Sequence, residues 1–251
     1  MCMSDLHNEI EQQYTSDQGT AFYRTVMGDG GFDIHYGLYD DPARTIQEAT
    51  KASTKRLIRL VESVQPIDEF CSIVDLGSGR GGPAHELALM SPATVTCVDL
   101  CRRHQEENLQ RAESLGVVDR IRTWTGSYDS LPKDWTDRFD LAWAQETFCH
   151  AHDVRRVLSE ASRVLKVGGV IAFSDVMLSD SATIAQANMF AEVNAINRLT
   201  RVGEYQTLLA TAGFGAARYE DWSEHLEENF RRMQQQIERH RSDLLEQGCL
   251  L

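Results

Sequence analysis

The sequence predicts an α/β fold, a doubly wound and mostly parallel sheet with a helical segment before it and a helix-rich segment after it. Three observations predict this. Short apolar runs alternate with helical stretches between residues 72 and 174. A glycine-rich turn, Gly77-Ser78-Gly79-Arg80-Gly81-Gly82, joins the first of those runs to a helix. The chain has 251 residues, 42% apolar and 25% charged, enough to bury one large core without staples.

The elements follow in order. Residues 5–27 read as a helix ended by Met27-Gly28-Asp29-Gly30-Gly31, a flexible glycine turn. An aromatic stretch follows, Phe32-Asp33-Ile34-His35-Tyr36-Gly37-Leu38-Tyr39. Pro42 can open the next helix, whose apolar stripe runs from Ile46 to Val64. Strands are then expected at 72–76, 93–98, 120–125, 139–144 and 169–174, with helices at 83–90, 101–115 and 153–165. The last third predicts helices at 184–199 and 203–212 and a sixth strand at 213–220. A final helix is capped at Trp222-Ser223 and carries Leu226, Phe230, Met233, Ile237, Leu244 and Leu245 on one face. Residues 1–65 thus form an N-terminal lid, 66–176 a ligand-binding core, and 177–251 a helical insertion, strand and terminal helix completing the same domain.

Composition excludes several classes. The net charge of −13 repels phosphate backbones and anionic lipid, so neither nucleic acid nor a membrane is expected as partner. No run of eighteen apolar residues exists, and the N-terminus lacks a secretory pattern. Six cysteines without a C-x-x-C read as reduced thiols of a cytoplasmic protein rather than a metal site.

The glycine turn carries the chemistry. Gly77-x-Gly79-x-x-Gly82 lets the backbone approach a ligand, and the helix after it offers free N–H groups. The spacing also satisfies a dinucleotide fingerprint, and a nicotinamide-dependent oxidoreductase is the alternative from another class. Asp75, two residues before the first glycine, opposes a pyrophosphate and suits a cationic ligand. Asp99 ends the second strand, where it can accept two ribose hydroxyls or cap the next helix. Ser127 and Tyr128 follow the third strand, as adenine contacts or as a plain turn.

Asp75-x-Gly77-x-Gly79, Asp99 and Lys166-Val167-Gly168-Gly169 together resemble S-adenosylmethionine-dependent class I methyltransferases with a Rossmann-like fold. The resemblance implies that Asp75, Gly77, Ser78, Gly79, Asp99, Leu100, Ser127, Tyr128 and Gln145 hold S-adenosyl-L-methionine, with S-adenosyl-L-homocysteine as product. Phe22-Tyr23, the stretch from Asp33 to Tyr39, Trp143-Ala144-Gln145-Glu146-Thr147-Phe148-Cys149-His150 and Phe173-Ser174-Asp175-Val176-Met177 are similar to sarcosine/dimethylglycine N-methyltransferases, which make the osmolyte glycine betaine. That implies N-methylation of sarcosine, dimethylglycine or glycine. Another small amine, thiol or carbon acceptor is the alternative, since the loop at 27–32 lacks the family's tryptophan, and Thr147, Cys149 and Val176 depart from its pattern.

An amine must shed a proton before it attacks a methyl group, so a base near neutral pKa is sought. His150, after the fourth strand, and His35, in the lid, are the candidates, and Tyr36 stands beside His35. Tyr23, Tyr36 and Tyr39 can face a methylated ammonium. Glu146 lies at a strand end, where acceptors bind. An acceptor carboxylate calls for arginine, and Arg198 is expected to supply it, with Asn197 and Arg201 beside it. Asp175 is structural or faces the pocket.

The resembling family carries a last antiparallel strand after the terminal helix, and nothing strand-like follows residue 223 here. The expected consequence is an exposed strand edge or apolar helix face that lowers stability or favours weak dimers. Light scattering with thermal melting checks this; a monomer of high thermal stability contradicts it.

Overall fold

In the computed structural model, residues 16–193, Ile196 and residues 198–249 are described. The core is a five-stranded sheet in the order β3-β2-β1-β4-β5, every neighbouring pair parallel. Its strands are β1 (Ser72–Leu76), β2 (Thr94–Asp99), β3 (Ile121–Thr125), β4 (Phe139–Gln145) and β5 (Leu165–Ser174). α3 (Gly82–Met90), α4 (Arg102–Ser114) and α5 (Val154–Val164) make the crossovers. The order reverses between β1 and β4, and that switch point opens a crevice at the carboxyl ends of the strands.

Two apolar layers cover the sheet. Ile73, Val95, Leu141 and Trp143 pack under α2 (Ile46–Glu62) and α3. Val74, Val98, Ala142 and Ala144 pack under α5 and α7 (Val202–Thr211). Strands buried on both faces explain why their sequences read as unbroken apolar runs.

α2 starts at Ile46 rather than at Pro42, because Thr45 and Glu48 form a reciprocal capping box there. Of the helix expected at 5–27, α1 (Asp17–Val26) forms; residues 5–15 lie outside the described residues. The helix expected at 184–199 is α6 (Ile184–Val193), and Arg198 to Thr200 are not helical. β5 begins at Leu165, earlier than expected, with a register shift against β4 between Phe139 and Leu141. The expected final helix forms as α8 (Glu224–Arg239) and α9 (Arg241–Glu246); Leu244 is buried, but Leu245 falls off the common face and is exposed.

The sixth strand at 213–220 does not form. That segment is non-strand and mostly exposed, held at Glu220 by Arg56 of α2 at 3.0 and 3.3 Å. Gly213, Gly215 and two alanines leave it few side chains with which to cover a strand edge. Among the described residues β5 is therefore the sheet's edge. No helix among them is long and apolar enough to cross a membrane.

The lid closes over the crevice from two distant parts of the chain. Asn229 of α8, fully buried, accepts from Gly37 N at 3.2 Å and from the Tyr39 hydroxyl at 2.8 Å. Arg232 of α8 stacks 4.8 Å over the Tyr39 ring and donates to the carbonyls of Pro42 and Arg44. Gly37 is required by proximity: a Cβ there would stand 2.5 Å from Ala49 Cβ and 2.6 Å from its carbonyl carbon. Gly37→Ala is expected to cost about 1–3 kcal/mol by pushing the lid off α2, read as a lower denaturant midpoint in equilibrium unfolding. An unchanged midpoint would contradict this seam.

Candidate active site

The carboxyl ends of β2, β1, β4 and β5 present Asp99, Asp75, Glu146 and Asp175 in spatial order. Above them lies a cavity of about 860 Å³, at the upper end of the range for small-molecule sites. α1 and the lid segment form one wall, and Phe230, Met233 and Ile237 of α8 form the roof.

The glycine turn builds the floor. Gly77 takes φ +76°, and a Cβ on it would stand 2.3 Å from Thr147 Oγ1, so only glycine fits. Gly77 N and Ser78 N donate to Val98 O, and Gly79 N donates to Asp99 Oδ2 at 3.0 Å. Asp99 also accepts from Cys101 N at 2.8 Å and lies 3.3 Å from His104 Nδ1; the N-cap of α4 is Cys101, so Asp99 does not cap that helix and instead lines the cavity. Around Gly79 a Cβ would meet no atom within 4 Å, a cradle left open for a ligand. Asp75 is buried, and its Oδ2 has no hydrogen-bond partner. Burial first, then the charge of Asp99, pushes its pKa up to about 8. A buried carboxylate without a donor is satisfied by a cationic or N–H-bearing ligand, which fits the amino-acid end of S-adenosylmethionine.

Leu100, Ser127 and Tyr128 line the same cavity, as the sequence led us to expect. Ser127 Oγ donates to Asp129 Oδ1 at 2.8 Å, and Tyr128 donates to Thr147 O at 3.3 Å. Gln145 lines it too; its Oε1 accepts from Thr54 Oγ1 and Trp143 Nε1, leaving Nε2 buried with no hydrogen-bond partner. Tyr23, His35, Tyr36, Glu146 and His150 complete the lining among the expected residues.

Three expectations need correction. His35 is buried, and its Nε2 faces Thr50 O at 3.0 Å and Thr54 Oγ1 at 3.1 Å. A carbonyl can only accept, so Nε2 carries the hydrogen. Burial lowers the pKa to about 4, so His35 is a neutral positioning residue for Thr54 and Gln145, not a base for an ammonium. Tyr39 does not line the cavity; it is spent on Asn229 and Arg232. Arg198 lies outside, 66% exposed and paired to Glu204 at 2.6 Å. Arg201 bonds to Ser179 O and Ala182 O. Asn197 is outside the described residues.

Arg80 was not foreseen at the site, whereas Glu146 and Asp175 were. Arg80 of the glycine turn reaches the lid, pairing with Glu107 at 2.9 Å and donating to Thr20 Oγ1 at 3.0 Å and Gly31 O at 3.4 Å. Asp175 accepts from the Tyr205 hydroxyl at 2.5 Å and from Cys149 N at 3.2 Å. Glu146 accepts from Ser174 Oγ at 2.8 Å, adopts φ +51°, and leaves its buried Oε2 with no hydrogen-bond partner. Burial, then the charge of Asp175, pushes Glu146 up to about 8. Burial raises Asp175 to about 6 against the hydrogen bonds from Tyr205 and Cys149. The only hint of the roof in the sequence was the helical face Phe230, Met233, Ile237, which carries no sign of what it covers.

Comparison with known proteins agrees with this geometry. Residues 74–173 match the methyltransferase-domain family. A glycine/sarcosine/dimethylglycine N-methyltransferase of Actinopolyspora halophila is 32% identical over 231 residues, 92% of this chain but 40% of that protein. A sarcosine/dimethylglycine N-methyltransferase of Halorhodospira halochloris is 30% identical over 233 residues, 93% of this chain and 81% of that one. The crystal structure of a candidate sarcosine dimethylglycine methyltransferase from Galdieria sulphuraria matches with a TM-score of 0.85 at 25% identity, covering 93% of this chain and 86% of the other.

The raised carboxylates make stability depend on pH. The folded protein keeps protons on Asp75, Glu146 and Asp175 that the unfolded chain releases near its ordinary carboxylate pKa of about 4. Their contribution is fully present below that value and is lost as pH rises through about 6 and about 8. The melting temperature of the ligand-free protein is therefore expected to fall between pH 5.5 and 8.5, and Glu146→Gln to flatten that fall. A melting temperature that rises over this range would overturn the assignment.

Proposed function

Since the chain belongs to the family of sarcosine/dimethylglycine N-methyltransferases, we propose that it methylates the nitrogen of sarcosine and dimethylglycine, toward glycine betaine, with S-adenosyl-L-methionine as donor. The observation that carries this reading is the cavity itself. It runs from the glycine turn and Asp99 at one end to Glu146, Tyr36 and His150 at the other. When bound, the donor supplies a methyl group on a positively charged sulfur, whose departure needs no acid.

The chain's own groups then have three tasks. Asp75, Gly77, Ser78, Gly79, Asp99, Leu100, Ser127, Tyr128 and Gln145 hold the donor. Tyr36, whose phenol burial keeps protonated, and Tyr23 offer aromatic surface to methylated nitrogen. His150, on the loop after β4, receives the proton that the amine sheds. α1 and α8 exclude water, which aligns the reactants and prevents hydrolysis. We place the reaction in the cytoplasm, which is supported by the thiols Cys71, Cys97, Cys149 and Cys249, buried cysteines outside any disulfide among the described residues, and we propose a monomer or weak homodimer.

Mass spectrometry after incubation with S-adenosylmethionine and glycine, sarcosine or dimethylglycine tests the reading. Methyl-unit gains on sarcosine and dimethylglycine are expected, and His150→Ala should lower kcat about 10²–10⁴-fold. No gain on any of the three would overturn the acceptor assignment.

A further inference from the structure

Asp17, Thr20 and Arg24 stand at helical spacing, so they share one face of α1. That face meets the glycine turn and α4. Thr20 Oγ1 accepts from Arg80 Nη2 at 3.0 Å, Arg24 lies 3.6 Å from Glu107, and Asp17 lies 3.8 Å from Arg103. On the neighbouring face, Gln18, Gly19, Phe22 and Tyr23 line the cavity. One helix thus walls the cavity and is fastened to the turn at its floor.

Arg80 is the centre of that fastening. It follows Gly79, where the cradle stands open for the donor, and it lines the same cavity. Its side chain is buried, with Nε 2.9 Å from Glu107 Oε2. Nη1 donates to the carbonyls of Gly31 at 3.4 Å and Gly30 at 3.5 Å, and Nη2 donates to Thr20. Gly31 makes room for this reach, since a Cβ on it would stand 3.0 Å from Arg80 Nη1. Burial disfavours the charge of Arg80, and Glu107 restores it.

The remaining polar ties of α1 are weaker. Arg24 and Arg103 are half-exposed and Asp17 is fully exposed, so their ion pairs hold little. Cys249 Sγ donates to Gln18 O at 3.4 Å, and a thiol is a poor donor. The bond from Arg80 to Thr20 is buried and charge-assisted, the strongest kind among these. At the other end of α1, Val26 and Met27 are fixed in an apolar cluster with Ile46 and Leu244, a natural pivot.

We propose that Arg80 is a positioning residue that latches α1 shut over the donor through Thr20, so that donor and product exchange only when this bond opens. This rests on S-adenosylmethionine as donor and not on the identity of the acceptor. Glu107 and the two glycine carbonyls keep the guanidinium on the fixed side, and Thr20 is its partner on the moving helix. Every bond of the latch joins atoms of the chain, so it closes the cavity with or without a ligand inside. Its use to the reaction is to keep water from the sulfonium methyl while the acceptor comes into line.

Stopped-flow association and dissociation of S-adenosylhomocysteine tests the latch without turnover. Thr20 and Glu107 do not line the cavity, so changing them removes no contact to the ligand. Thr20→Val keeps the shape, removes the oxygen and strands a buried N–H of Arg80. It is expected to raise both rates about tenfold while Kd stays within about threefold. Thr20→Ser restores the oxygen and should return both rates to the native values. Amide hydrogen exchange in α1 should quicken in Thr20→Val and not in Thr20→Ser. Glu107→Gln should also raise both rates, and it serves if Thr20→Val does not fold. Unchanged rates, a Thr20→Ser that behaves like Thr20→Val, or faster dissociation with native association would overturn the latch. A native protein that does not bind S-adenosylhomocysteine would overturn latch and donor together, whereas failure to methylate sarcosine or dimethylglycine strikes the acceptor alone.

Discussion

Four acidic groups stand at the carboxyl ends of four adjacent strands, and three of them are kept from water. Like charges in a low-dielectric setting repel strongly, and each buried carboxylate also loses its hydration. The neighbourhood answers both demands. Ser174 bonds Glu146, Tyr205 and Cys149 N bond Asp175, and Gly79 N bonds Asp99. What the protein does not supply, at Asp75 and Glu146, is the partner that a positively charged small molecule brings. The negative edge is thus both a strain on the empty fold and the source of its affinity for cations.

The roof follows from the same requirement. A dry acidic edge needs a cover, and the cover comes from two segments that meet across it. Gly37 and Tyr39 hang from Asn229, Tyr36 rests on Phe230, and Arg80 ties the glycine turn to α1 through Thr20 and Gly31. Thr147 links the loop after β4 back to Gly77. Donor floor, acceptor floor and lid therefore share hydrogen bonds, and a change in one is felt in the others.

What could be read from the sequence was what depends on local order. The strand–turn–helix around Gly77 and Gly79 and the acid ending β2 are short-range patterns, so their place in the fold followed directly. The partners of Asn229 lie some 190 residues away, and no periodicity reports such a contact. The residue type of His35 suggests a base; only its burial against Thr50 and Thr54 shows otherwise. Arg198 was assigned by what an amino acid requires, and the helical insertion turned it to Glu204 and solvent. The segment at 213–220 has the look of a strand but lacks the side chains to cover an edge, and its anchoring by Arg56 is a tertiary event.

The arrangement of α8 bears on synthesis. The strands of the described residues end at Ser174, yet the cavity lacks its roof until residues 224–239 have been made and have folded back. During elongation, the nascent domain has a finished core and an open, water-filled acidic crevice. Ligands cannot chaperone that early state, because the walls that would hold them do not yet exist. The binding-competent form therefore appears only once α8 has folded back, and only from that point can its substrates stabilise it.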